Sequence, residues 1–109
     1  MGYSCTAKAS FVREALEDLI ANLVGPGKPS NAMPSGGFWE IGRERPDGAI
    51  TGQVWKDAPD KPGYCRKAGS FRICPDGKIA RFPGLPPAVK QSAEIIGANK
   101  FQSVFGGAK

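Results

Sequence analysis

Two tryptophans, Trp39 and Trp55, share one stretch of alternating sequence with Arg43 and Arg45, and Arg66, Lys67, Arg72, Lys78 and Arg81 follow further along the chain. Aromatic faces stack on nucleobases or anchor a protein partner, and guanidinium and ammonium groups attract phosphates. These nine residues are the candidate binding set. Groups suited to catalysis are sparse. The chain has no histidine, which removes the usual general base and the commonest metal ligand. Its acidic residues are scattered, with no pair spaced for glycosidase or two-metal chemistry. Cys5, Cys65 and Cys74 have no C-x-x-C spacing, so neither a zinc site nor a disulfide framework is expected. Cys65 precedes Arg66 and Lys67, and positive neighbours lower a thiol pKa, but no base partner accompanies it. Gly25-Pro26-Gly27-Lys28 and Gly36-Gly37 lack the flanking strand and helix of a phosphate loop. An enzyme is the least favoured class, and no cofactor is expected.

The 109 residues carry a net charge of +5, and the whole excess lies in the second half of the chain. Between residues 64 and 84, Arg66, Lys67, Arg72, Lys78 and Arg81 are opposed by Asp76 alone. Such a balance suits a polyanionic partner: nucleic acid, a nucleoprotein complex or an acidic protein surface. Strand lysines and arginines that discourage edge pairing account for the same charges without any ligand. No apolar stretch approaches membrane-spanning length and no charged-then-apolar leader opens the chain, so a soluble, cytoplasmic protein with reduced thiols is expected.

The elements that must position these groups are two β-hairpins with the same turn. Phe38–Arg45 and Ala49–Lys56 flank Pro46-Asp47-Gly48, and Ser70–Cys74 and Lys78–Phe82 flank Pro75-Asp76-Gly77. Proline pre-sets the first corner, aspartate bonds the backbone two residues on, and glycine takes the left-handed position. Before them, Phe11, Val12, Ala15, Leu16, Leu19, Ile20, Leu23 and Val24 recur at helical spacing, with Ser10 as N-cap and Gly25-Pro26 as terminator. Residues Tyr3–Ala9 read as a short edge strand or a lead-in, and 25–37 as a long loop, mobile or used. A closing helix starts near Pro87 and buries Val89, Ala93 and Ile96, with Gly97 ending or kinking it. Phe101, Val104 and Phe105 add a final apolar cluster, and residues 106–109 form a tail. The expected fold is a single α+β domain: N-terminal helix, four-stranded antiparallel sheet, C-terminal helix, both helices on one face.

A regular register from the first turn pairs Arg45 with Ala49, Ile41 with Gln53 and Trp39 with Trp55. Trp39, Ile41, Arg43, Arg45, Thr51, Gln53 and Trp55 then share one face, and Phe38, Glu40, Gly42, Glu44, Ile50, Gly52 and Val54 the other. If the second face is covered by the helices, the tryptophans form an open platform beside the arginines; otherwise they are core. In the second hairpin the same logic puts Phe71, Ile73, Ile79 and Arg81 together, opposite Arg72, Cys74, Lys78, Ala80 and Phe82.

Two functional classes follow. The first is a basic, non-catalytic binding module for nucleic acid or a nucleoprotein complex. The second acts by protein contact, as a steric inhibitor or a small assembly subunit. In size and plainness the chain resembles the small inhibitors that phages and plasmids direct at host defence complexes, anti-CRISPR proteins among them, and that likeness implies a protein target. The helix–sheet–helix order is also similar to that of double-stranded RNA-binding domains. Those use three strands and a basic helix start, where this chain has Ala88-Val89-Lys90-Gln91-Ser92 with one lysine.

Overall fold

In the computed structural model, which describes residues 3–29 and 31–106, the first helix begins well before Ser10. Helix α1 spans Tyr3–Val24, and Ala9, Val12, Leu16 and Ile20 are buried along its length. Ser10 is therefore an interior residue of the helix and not its cap, and Tyr3–Ala9 are neither strand nor lead-in. A serine caps a helix only where the helix begins, and here the helix runs on through it. Leu23, expected in the stripe, is exposed, and Phe11 packs on Phe101 and Phe105 with ring centroids 6.4 and 6.3 Å away.

Strands β1 (Phe38–Glu44), β2 (Ile50–Asp57), β3 (Cys65–Ile73) and β4 (Ile79–Arg81) form one antiparallel sheet in sequence order. The two Pro-Asp-Gly turns are alike. Gly48 and Gly77 have φ of +96° and +91°. The amides of Ala49 and Lys78 donate to Asp47 and Asp76 at 3.0 Å. Arg45 N–H donates to the Ala49 carbonyl at 2.7 Å, as Cys74 N–H does to Lys78. Proline, aspartate and glycine each do what the turn type demands.

Helix α2 (Pro87–Phe101) opens with Pro at its first turn and lies against α1, and a wider π turn over Gln102–Gly106 follows it. Gly97 neither ends nor kinks α2. A Cβ there would overlap Val12, so glycine lets the two helices approach closely. Val89 is half-buried and Ala93 fully buried, while Ile96 is exposed. Gly106 belongs to the π turn, and the remainder of the expected tail lies outside the described residues.

The core lies between α1 and one sheet face. Trp39, Phe71 and Phe82 form its aromatic centre: Trp39 meets Phe71 at 5.6 Å and Phe82 at 5.5 Å edge-on, and Phe71 stacks on Phe82 at 4.7 Å. Such pairs add to the area they bury. The 25–37 loop is tied down. Met33 enters the core, Asn31 Nδ2 donates to the Trp39 carbonyl at 3.0 Å, and Trp39 N–H donates to the Asn31 carbonyl at 2.9 Å. Those bonds cover the β1 edge at Trp39, where an unpaired strand would otherwise invite another chain.

Candidate functional site

Which side chains reach the uncovered sheet face is decided by β-bulges. Near the first turn the register is the regular one, with Glu44 opposite Ile50 and Arg43 opposite Thr51. At Gly42 it slips by one residue, so that Ile41 meets Gly52, Trp39 meets Val54 and Phe38 meets Trp55. A regular register would have pressed Glu40 into the core beside Gly52 and Val54 and left Trp39 outside. Burying an unpaired carboxylate costs several kcal/mol, whereas burying an indole of ~200 Å2 returns about 5 kcal/mol, less about 1–3 kcal/mol for the Trp39 Nε1–H, which is buried without a partner among the described residues. The bulge resolves that conflict at a glycine, a residue that marks such sites in strand interiors.

The same exchange occurs in the second hairpin. Ile73 opposes Ile79 and Arg72 opposes Arg81, which leaves Ala80 as the extra residue. Without it Arg81 would point to the core and Phe82 to solvent. With it Phe82 is buried and Arg81 joins Arg72 on the open face. A third slip lies between Val54 and Trp55, where Val54 faces Gly69 and Trp55 faces Lys67.

These shifts correct the expected faces. Trp39, only 2% exposed, is a core residue and leaves the candidate set. Trp55 is half-buried on the open face, its ring parallel to Phe38 at 6.0 Å and 16°. Trp55 Nε1–H donates to Glu40 Oε1 at 3.0 Å, which fixes the indole's orientation.

Beside this pair the open face holds a shallow depression of about 440 Å3. Arg43 and Arg45 from the β1 end, Arg72 from β3 and Arg81 from β4 line it, with Thr51, Gln53 and Ser70 between them. Gly42 and Gly52 contribute no side chains to fill it. Thr51 Oγ1–H donates to the Arg43 carbonyl at 3.3 Å and so holds the bulge. The nearest acidic partner is Asp47, 3.7 Å from Arg72. Arg43, Arg45 and Arg81 are in no ion pair among the described residues. Four guanidiniums facing one small hollow outnumber the nearby carboxylates, Asp47 paired with Arg72 and Glu40 opposite Gln53, and make a positive, donor-rich surface suited to phosphate or carboxylate oxygens.

The other basic candidates are dispersed. Arg66 pairs with Asp60 at 3.2 Å beside the β2–β3 connection. Lys78 sits in the second turn, and Lys67 is the register partner of Trp55. The run from Arg66 to Arg81 is thus not one patch: Arg72 and Arg81 join the β1 arginines, and Arg66 and Lys78 lie outside the depression. The sequence reading missed Phe38, Glu40 and Ser70 as parts of this face. The signal that could have found Phe38 and Glu40 is Gly42, an isolated glycine inside a strand.

The positive neighbours of Cys65 do not set its chemistry. Its Sγ–H donates to Asp57 Oδ1 at 3.7 Å. Local desolvation, the Asp57 charge and that hydrogen bond push the thiol above its ordinary value. This direction is opposite to that of an activated nucleophile.

Among the described residues no helix is long and apolar enough to cross a membrane. In comparisons with protein-family models, curated proteins and solved structures, nothing matches the chain.

Proposed function

We propose that the protein is a non-catalytic binding module that engages nucleic acid, free or within a nucleoprotein complex, through the open face of its sheet. The observation that carries this reading is the convergence of Arg43, Arg45, Arg72 and Arg81 on one depression beside the Trp55–Phe38 pair. Guanidiniums hold phosphate oxygens bidentately, and aromatic faces accept bases without regard to sequence. Binding to DNA and RNA across a salt series tests the reading. Affinity is expected to fall steeply with salt, because each neutralised phosphate releases counterions. Salt-independent binding, or none at low salt, would argue against it.

A second reading, contact with a protein target in the manner of a small steric inhibitor or an assembly subunit, draws on exposed apolar side chains at the end of α2 and in the π turn. Ile95, Val104 and Phe105 are each at least half exposed, and apolar side chains left in solvent mark many interfaces. A pulldown from nuclease-treated lysate separates the two: a partner that survives nuclease favours protein contact, and one lost with the nucleic acid favours the first reading.

A further inference from the structure

We infer that the open face takes single-stranded rather than duplex nucleic acid, with backbone phosphate in the arginine depression and an unpaired base against Trp55 and Phe38. This inference rests on the nucleic-acid reading above and adds the strand state and the division of the face into two subsites.

Thr51, Gln53 and Trp55 follow one another on the open side of β2, the first two lining the depression and the third carrying the aromatic surface. Four residues at ~3.3 Å each put about 13 Å between Thr51 and Trp55 along the strand. Positive charge and ring surface are thus adjacent parts of one track. Charge density sorts them. At the aromatic end the Glu40 carboxylate, which holds the indole N–H at 3.0 Å, is offset by Lys67, the register partner of Trp55. The four arginines are the denser positive charge, so a phosphate is drawn to the depression, while a neutral base is not.

The ring faces are useful only to a base whose own face is free. In a duplex the bases lie in the stack and offer groove edges and phosphates, which a half-buried Trp55 on a sheet surface does not reach. Duplex readers send a helix or a two-stranded ribbon into a groove. Here α1 packs on the opposite sheet face and α2 lies against α1, so neither helix is presented on this side, and both hairpins are joined in one four-stranded sheet, broader than the two-stranded ribbon a groove admits. The arginines crowd a single hollow and do not spread across two backbones, which suits a short run of one strand.

The test uses fluorescein-labelled oligothymidylate, oligouridylate and a hairpin duplex of matched charge, followed by anisotropy at low salt with the full chain. Single strands of either sugar are expected to bind at least about tenfold tighter than the hairpin. Trp55→Ala is expected to weaken single-strand binding about tenfold and leave hairpin binding unchanged. Trp55→Phe keeps a stacking ring and should bind within about twofold of the parent, while the tryptophan quenching expected when the parent binds a single strand should be lost. Circular dichroism confirms that each variant is folded, and Phe38→Ala replaces Trp55→Ala if the latter is not. Equal or tighter hairpin binding, insensitive to residue 55, would overturn the single-strand assignment and leave the nucleic-acid reading standing. No binding of any probe would overturn both.

Discussion

Arg72 and Arg81 are direct register partners across β3 and β4, placed on the same side of the sheet by the extra residue Ala80. Like charges opposite one another weaken a sheet by up to about 1 kcal/mol, and Asp47, 3.7 Å from Arg72 at an exposed site, offsets little of that. A charge arrangement that the fold does not favour is what the proposed binding face would require. Arg81→Thr is expected to raise unfolding free energy by about 0.5 kcal/mol while weakening nucleic-acid binding. Urea denaturation and a binding isotherm on the same variant check both halves. A destabilised Arg81→Thr would mean that the pair is not repulsive.

Gly52 is the second constraint on this face, seen from the core side. A Cβ at that position would overlap the Glu40 carbonyl oxygen and the Phe71 ring. Gly52→Ala is therefore expected to cost at least about 1–3 kcal/mol, because the β1 backbone at Glu40 must shift as well as the Phe71 ring. Thermal unfolding measures it, and an unchanged midpoint would show that both strand and ring yield without cost.

The short strand β4 depends on α2. Glu94 Oε2 accepts the Ile79 amide at 2.7 Å, an interaction between the helix and the sheet edge. Glu94→Ala leaves that amide without its acceptor and is expected to cost about 1–3 kcal/mol, with faster amide exchange at Ile79. Glu94→Gln, which keeps an acceptor oxygen, should retain most of the stability. Equal losses in the two variants would show that the bond contributes nothing specific.

At Cys65 the prediction concerns reactivity and pH. Local desolvation and Asp57 raise the thiol's pKa, so the thiolate fraction at neutral pH is smaller than for a free cysteine. Alkylation of Cys65 is expected to be slow at neutral pH and to accelerate only as pH rises past the ordinary thiol range. Asp57→Asn removes the negative charge, lowers the pKa and should speed the reaction. A rate unaffected by Asp57→Asn would contradict the assignment.

The parts of the fold legible in the sequence were those fixed by local chemistry. Pro46-Asp47-Gly48 and Pro75-Asp76-Gly77 specify their turns through residues whose backbone preferences do not depend on tertiary context, and Pro87 marks the start of α2 for the same reason. Ser10 misled because a serine caps a helix only where the helix begins: the helix runs through it from Tyr3, and the buried residues after it, Val12 to Ile20, are the same for either starting point. The faces of the strands were legible only as far as Gly42 and Ala80. Register is a tertiary property: the slip is chosen because it exchanges Glu40 for Trp39 and Arg81 for Phe82 in the core, and that comparison requires knowing which face the helices cover. Arg43, Arg45, Arg72 and Arg81 each drew notice as charges; the first three share the open face in the regular register, and Arg81 joins them only through the slip at Ala80.

If the depression lined by the four arginines is the binding site, charge-matched variants inside and outside it must behave differently. Arg43→Ala/Arg45→Ala removes two charges from the depression, whereas Arg66→Ala/Lys78→Ala removes two charges from outside it. Binding of a short single strand is then followed across a salt series. The first pair is expected to lose at least about tenfold in affinity and to flatten the slope of log K against log salt by about 1.4. The second pair should stay within about twofold of the parent chain. Equal losses in both pairs would reduce the interaction to net charge and contradict the site. Full binding by Arg43→Ala/Arg45→Ala would contradict it outright.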